Sequence, residues 1–163
     1  MNKKQKTEEK ACSFYASDYH FEMISLPYIN KKLENGEEVL ILTENNLQKT
    51  VKTLVSKISL SKEKKEKILK LNWKNEDSNK MEIIKKYSKD RENEKKNLIV
   101  FVKGNEKYIK DINENIEKTI EKNENIKIID CYNMEEIGER INSIVKDYET
   151  ILSTTGERKI EKL

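Results

Sequence analysis

Residues 12–46, CSFYASDYHFEMISLPYINKKLENGEEVLILTENN, decide the fold. An apolar stretch ending at Tyr15 gives way to the polar turn Ala16-Ser17-Asp18. Phe21, Ile24, Tyr28 and Leu33 then recur at near-helical spacing, which predicts an amphipathic helix. Ser17 or Asp18 can cap its start, because a short side-chain acceptor satisfies the unpaired amides there. Gly36 suits its end, and Pro27, inside it, is expected to bend the helix or divide it in two. Val39–Leu42 is a short apolar run of the kind covered on both faces of a sheet. Strand, helix and strand in this order are the opening unit of a parallel α/β domain.

Outward from this unit the same alternation continues. The first strand is expected over Ala11–Tyr15. Leu47, Val51, Leu54, Val55 and Ile58 form one helical stripe, capped by Asn45 or Asn46. A third strand is expected near Ile68–Trp73, and a short helix around Met81, Ile83, Ile84 and Tyr87. Leu98–Val102, LIVFV, is the strongest strand signal in the chain. Ile109, Ile112, Ile116 and Ile120 mark a further helix, and Ile126–Tyr132 a further strand. Ile137, Ile141, Ile144, Val145, Tyr148 and Ile151 predict a long helix over Met134–Leu152, ended by Thr155-Gly156. Residues 158–163 either add an edge strand or fray. The expected fold is a three-layer α/β sandwich with a mostly parallel central sheet of about five strands, RecA-like or Rossmann-like.

At 163 residues the chain reads as one domain, 11–163, behind a flexible charged tail, 1–10. Lysine and arginine number 33 and aspartate and glutamate 30, so there is no concentrated excess of positive charge to suggest a nucleic-acid partner. No apolar run reaches the ~20 residues of a membrane span, and the charged N-terminus leads into no apolar signal region. A cytoplasmic location is expected. Cys12 and Cys131 have neither metal-ligand nor disulfide-framework spacing, and each falls in a predicted strand, so buried free thiols are expected.

Residues 11–46 resemble the MEDS family, the methanogen/methylotroph and DcmR-type sensory domain, a degenerate relative of the RecA and KaiC fold. The resemblance is carried by Phe14-Tyr15, Ser17-Asp18, the step Leu33-Glu34-Asn35-Gly36-Glu37 and the strand Val39–Thr43, with Tyr132-Asn133 similar to a later Tyr-Asp pair. It implies a bacterial sensory or regulatory module that has lost nucleotide hydrolysis. The residues agree: a phosphate loop needs glycines and a lysine, and neither GxxxxGK[ST] nor GxGxxG occurs. No motif calls for a cofactor or a metal.

Ligands of open α/β sheets gather beyond the C-terminal strand ends. Tyr15, Ser17, Asp18, Glu44, Tyr132 and Asn133 are therefore the candidate ligand-binding residues, with Lys103-Gly104-Asn105 and Asp130 on the same rim. Ser17, Asp18, Asn45, Asn105 and Asn133 also fit simple helix capping. A catalytic pairing of Cys131 with His20 requires an activated thiol, and a cation held by Asp18, Glu44 and Asp130 requires three carboxylates to converge. The expected activity is non-catalytic: sensing of a small effector or docking of a protein partner, with a homodimer possible. The alternatives are a nucleotide-linked or thiol-dependent enzyme on this fold, and a docking scaffold without a small-molecule site.

Overall fold

The computed structural model describes residues 8–74, 82, 85, 97–119 and 126–160. Its centre is a six-stranded sheet made of β1 (Glu8–Tyr15), β2 (Glu38–Thr43), β3 (Leu98–Lys103), β4 (Ile126–Asn133), β5 (Thr150–Ser153) and β6 (Gly156–Lys159). The order across the sheet is β2-β3-β4-β1-β5-β6, with only β6 antiparallel. This differs from both the 3-2-1-4-5-6 and 2-1-3-4-5 doubly wound orders. The chain is thus α/β with a mostly parallel sheet, one strand larger than expected. Strand β1 already begins at Glu8, so residues 8–10 belong to the sheet and not to a tail.

Alternation along each strand builds two cores. Ala11 and Tyr15, Val39 and Ile41, Ile99 and Phe101, and Ile129 and Cys131 face helices α1 (Asp18–Glu34), α2 (Gln48–Lys57) and α3 (Lys62–Leu69). Cys12 and Phe14, Leu40 and Leu42, Val100 and Val102, and Ile128 and Tyr132 face α4 (Glu106–Thr119) and the 134–148 connection. We refer to these as the first and second faces. Both cysteines are buried free thiols, as expected. Among the described residues no helix is long and apolar enough to cross a membrane.

Helix α1 follows its sequence signals at both ends. The Ser17 side chain caps it by accepting from His20 N, while His20 Nδ1 accepts from Ala16 N at 2.8 Å. At the C-terminus Gly36 takes φ +81°, and the bonds Glu37 N to Lys32 O and Gly36 N to Leu33 O form a Schellman motif. Pro27 does not divide the helix, which runs unbroken through it. Its ring lies on the exposed side, where water can satisfy the carbonyl left without a donor.

Two expected elements are corrected. Ile68–Trp73 is not a strand: α3 carries Ile68, capped by Ser61, and Trp73 folds back so that its Nε1 donates to Ile68 O at 2.8 Å. A single buried residue at Ile68 and a lysine-rich solvent face suit a short surface helix better than an interior strand. The long helix over Met134–Leu152 is also absent. In its place stand α5 (Met134–Ile137), a 3₁₀ turn (Gly138–Arg140), α6 (Ile141–Val145) and the β5–β6 hairpin. Gly138 at φ +52° breaks the first piece. Thr150–Ser153 instead pairs with the free edge of β1, in register Ala11 to Thr150 and Ser13 to Leu152. Of the short helix expected around Met81, Ile83, Ile84 and Tyr87, those four residues lie outside the described residues, as does Ile120, while Glu82 and Lys85 are helical.

Candidate functional site

The strand ends carry one polar cluster on each face of the sheet. On the first face the organising residue is Lys103, the last of β3, which is only 2% exposed. Its Nζ donates to Asp18 Oδ1 and to Asn45 Oδ1, each at 2.9 Å. Asn45 Nδ2 donates to Asp18 Oδ2 at 3.0 Å, which closes the ring of three side chains. Thr43 fixes Asn45 in turn, its Oγ1 donating to Asn45 O at 2.8 Å. Beneath the ammonium lie the rings of Tyr15, 4.7 Å to its centroid, and Phe21 at 5.5 Å. A buried ammonium is tolerated here because an anion, a carbonyl oxygen and two π-faces all meet it. One helical turn along α1, Glu22 is buried and accepts from Thr50 Oγ1. Burial raises the Glu22 carboxyl above the usual range, and the neighbouring Asp18 raises it further.

Next to this cluster, Glu44 closes over the start of α4. Its Oε1 accepts from Asn105 N at 2.9 Å and its Oε2 from Asn105 Nδ2 at 3.2 Å. Asn105 Oδ1 then accepts from Tyr108 N and caps the helix. The approach depends on Gly104, where a Cβ would fall 2.5 Å from the Tyr108 ring and 2.9 Å from Glu44 Oε1.

On the second face the centre is Asp130, fully buried in β4. Asn113 Nδ2 donates to its Oδ1 at 3.0 Å and Tyr148 Oη to its Oδ2 at 2.6 Å. The Tyr132 hydroxyl is hydrogen-bonded to that of Tyr148, and the Tyr132 ring stacks on Phe14. Among the described residues the nearest cation is Lys10 Nζ, 3.9 Å from Asp130 Oδ2 and 5.6 Å from the centroid of Tyr148. Burial pushes the Asp130 carboxyl up, against the hydrogen bonds of Tyr148 and Asn113. Burial and the Asp130 charge likewise push the Tyr148 hydroxyl far up. These groups floor an open cleft of about 470 Å³ between α4 and the 138–148 segment. One end is closed by a fork of hydrogen bonds from the Arg140 guanidinium to the Glu106 carboxylate.

The six candidate residues are therefore not one site. Tyr15 and Asp18 gather around Lys103 on the first face, and Tyr132 belongs to the cleft on the second. Glu44 clamps Asn105, while Ser17 and Asn133 are helix caps, Asn133 Oδ1 accepting from Glu135 N. Asp18, Glu44 and Asp130 do not converge, and among the described residues no group of three or more potential ligands could hold a metal. Cys131 is fully buried on the first face with its thiol pushed up by burial, the opposite of an activated nucleophile. His20 is a partly exposed first-turn residue. Lys103, Asn113 and Tyr148 were not among the six. Lys103 was placed on the rim by the sequence but not singled out, although a lysine ending an otherwise apolar strand was signal enough to do so. Asn113 and Tyr148 carry no local signal, since each acts from a separate element.

Comparison of the chain with protein-family models, curated proteins and solved structures returned no match.

Proposed function

We propose that this chain is a non-catalytic, cytosolic regulatory module of the sensory type implied by its MEDS resemblance, on a RecA-related sheet. One observation carries the reading. At the two places on the rim suited to a phosphate, the buried ammonium of Lys103 and the start of α4, the chain supplies its own carboxylates, Asp18 and Glu44. A nucleotide enzyme needs such groups free for substrate; a domain that has given up hydrolysis can spend them on its own stability. The cleft over Asp130 remains open, and its size falls within the range of small-molecule sites. Its walls belong to different elements, so an occupant touching both α4 and the 138–148 segment would bias how they sit and pass a signal to a partner.

The test is a thermal-shift screen with nucleotides with and without Mg²⁺, small aromatics, halogenated hydrocarbons and polar metabolites, run beside a phosphate-release assay. A ligand at a hundred times its Kd adds ~2.7 kcal/mol to stability. The expected result is stabilisation by a small molecule without phosphate release. Mg²⁺-dependent hydrolysis that disappears in Lys103→Met would sink the reading in favour of an enzyme.

Docking of a protein partner is favoured by a separate observation. Tyr19 and Met23 are exposed one turn apart on α1, in line with the exposed Pro27. If α1 is the output surface, Tyr19→Ala should abolish capture of a partner while leaving small-molecule stabilisation intact.

A further inference from the structure

The cleft on the second face combines a fully buried carboxylate with a counter-ion that does not reach it. Asp130 receives hydrogen bonds from two neutral donors, Tyr148 and Asn113, but Lys10 stands at 3.9 Å, with its side chain about a third exposed. A buried carboxylate is ordinarily matched by a cation in direct contact. Here the charge is only partly matched, and it lies at the floor of an open recess.

The hydroxyl protons set what the recess asks for. Tyr148 has one proton and gives it to Asp130 Oδ2, so its oxygen accepts the proton of Tyr132. Tyr132 Oη is left with lone pairs. Floor and wall therefore both call for a donor, and a charged one suits Asp130 best. Of the other charges around the cleft, Arg140 is held by Glu106 and Lys107 pairs with Asp111 at 3.6 Å, while Lys110, Glu114 and Glu117 lie farther along α4.

A bare amine does not complete the site, since it would displace Lys10 from Asp130 and leave that ammonium without an anion. A bare carboxylate fits Lys10 but faces Asp130. A ligand bearing both charges on neighbouring atoms satisfies both sides. Resting on the sensory reading above, we propose that the cleft binds a zwitterion of the α-amino-acid class. Its ammonium sits on Asp130 and Tyr132 Oη, and its carboxylate sits on Lys10. The side chain of the ligand lies along Ile109 towards α4, where Lys110, Glu114 and Glu117 line the remaining length. Binding converts the long Lys10–Asp130 contact into two direct ones and ties β1, β4 and the Tyr148 segment through the ligand.

The experiment is calorimetry and thermal shift on the full chain with the common α-amino acids. For any amino acid that binds, its decarboxylated amine and its deaminated acid are measured in parallel. Binding by at least one amino acid is expected, with each one-charge analogue weaker by about tenfold or more, as the loss of a charge-assisted hydrogen bond requires. Lys10→Met and Tyr132→Phe should each weaken it by a similar factor, with unfolding curves near those of the parent. Asp130→Asn is a poorer probe, because Asp130 also joins several elements of the fold. The inference is overturned if no amino acid binds, if either one-charge analogue binds as well, or if binding survives both substitutions. A different compound class binding in a Tyr132-dependent way would overturn the amino-acid assignment and leave the sensory reading standing. Amino-acid binding together with Mg²⁺-dependent hydrolysis would do the reverse.

Discussion

Lys103 and Asp18 form an unequal pair. The ammonium is buried, whereas the Asp18 side chain is 40% exposed. Asp18→Ala leaves a buried cation with only Asn45 and two aromatic faces, while Lys103→Met removes the charge and keeps most of the volume. Breaking a buried pair from one side destabilises more than replacing the buried charge with an apolar group. We expect Asp18→Ala to cost about 2 kcal/mol, the partial exposure of the carboxylate moderating it, and Lys103→Met about 1 kcal/mol or less. Urea unfolding of the two variants decides it, and the reverse order would show that Lys103 is held chiefly by other contacts. Glu22 gives a pH prediction. Its folded-state pKa lies above the usual value because of burial. Such a group contributes its full stability below its unfolded pKa, about 4.3. That contribution is lost as pH rises through the higher folded value. Glu22→Gln should therefore flatten the decline in stability between mildly acid and neutral pH, and urea midpoints across that range measure it. An unchanged slope would mean that Glu22 is ionised at no cost.

At the scale of elements, the start of α4 is fitted to its neighbours by two residues. Gly104→Ala would drive a methyl group into the Tyr108 ring and the Glu44 carboxylate. Overpacking of this kind costs about 1–3 kcal/mol, and Glu44→Ala, which removes the anion over Asn105, should cost about 1 kcal/mol. Because both act on one junction, the double variant should lose less than the sum of the two. Full additivity in denaturant unfolding would show that the contacts are independent. Helix α1 offers a gain instead of a loss. Pro27→Ala restores an amide donor inside a continuous helix and should raise stability by about 1 kcal/mol or more. A fall would show that the ring packs against something worth more than the hydrogen bond.

For the molecule as a whole, the parallel strands β3, β4 and β1 lie inside the sheet, whereas β6 is an edge strand whose Arg158 and Lys159 are exposed. Amide exchange should be slowest in β1, β3 and β4 and fastest in β6, since the edge opens without disturbing either core. Charged side chains on that edge also discourage pairing with another chain. Removing 156–163 should leave the first-face core folded, as judged by the near-UV signal of Trp73. Loss of that signal would mean that the hairpin, through the contacts of Glu157 with Lys127 and Thr150, is needed to hold β5 on β1.

Local pattern determined the layers of this protein. The short apolar runs in Leu98–Val102 and Ile126–Tyr132, and helical spacing in 21–33, 47–58 and 109–116, are read by the nearest neighbours in the chain, so these elements stand close to where they were expected. The caps at Ser17 and Asn133 and the Gly36 stop are local as well. The spacing of 137–151 misled because helical periodicity there coincides with residues whose burial comes from elsewhere. Tyr148 is fixed by Asp130, and Ile151 and Leu152 by the open edge of β1. Strand order was likewise undecidable from pattern, since all the parallel strands are similarly apolar. The site depended on it most. Asp18, Asn45 and Lys103 are brought together only when β3 lies between β2 and β4, and Lys10 meets Asp130 only because β1 pairs with β4. Which residues are buried is written in short-range periodicity; which charges face one another is set by long-range pairing, and that is a property of the assembled sheet.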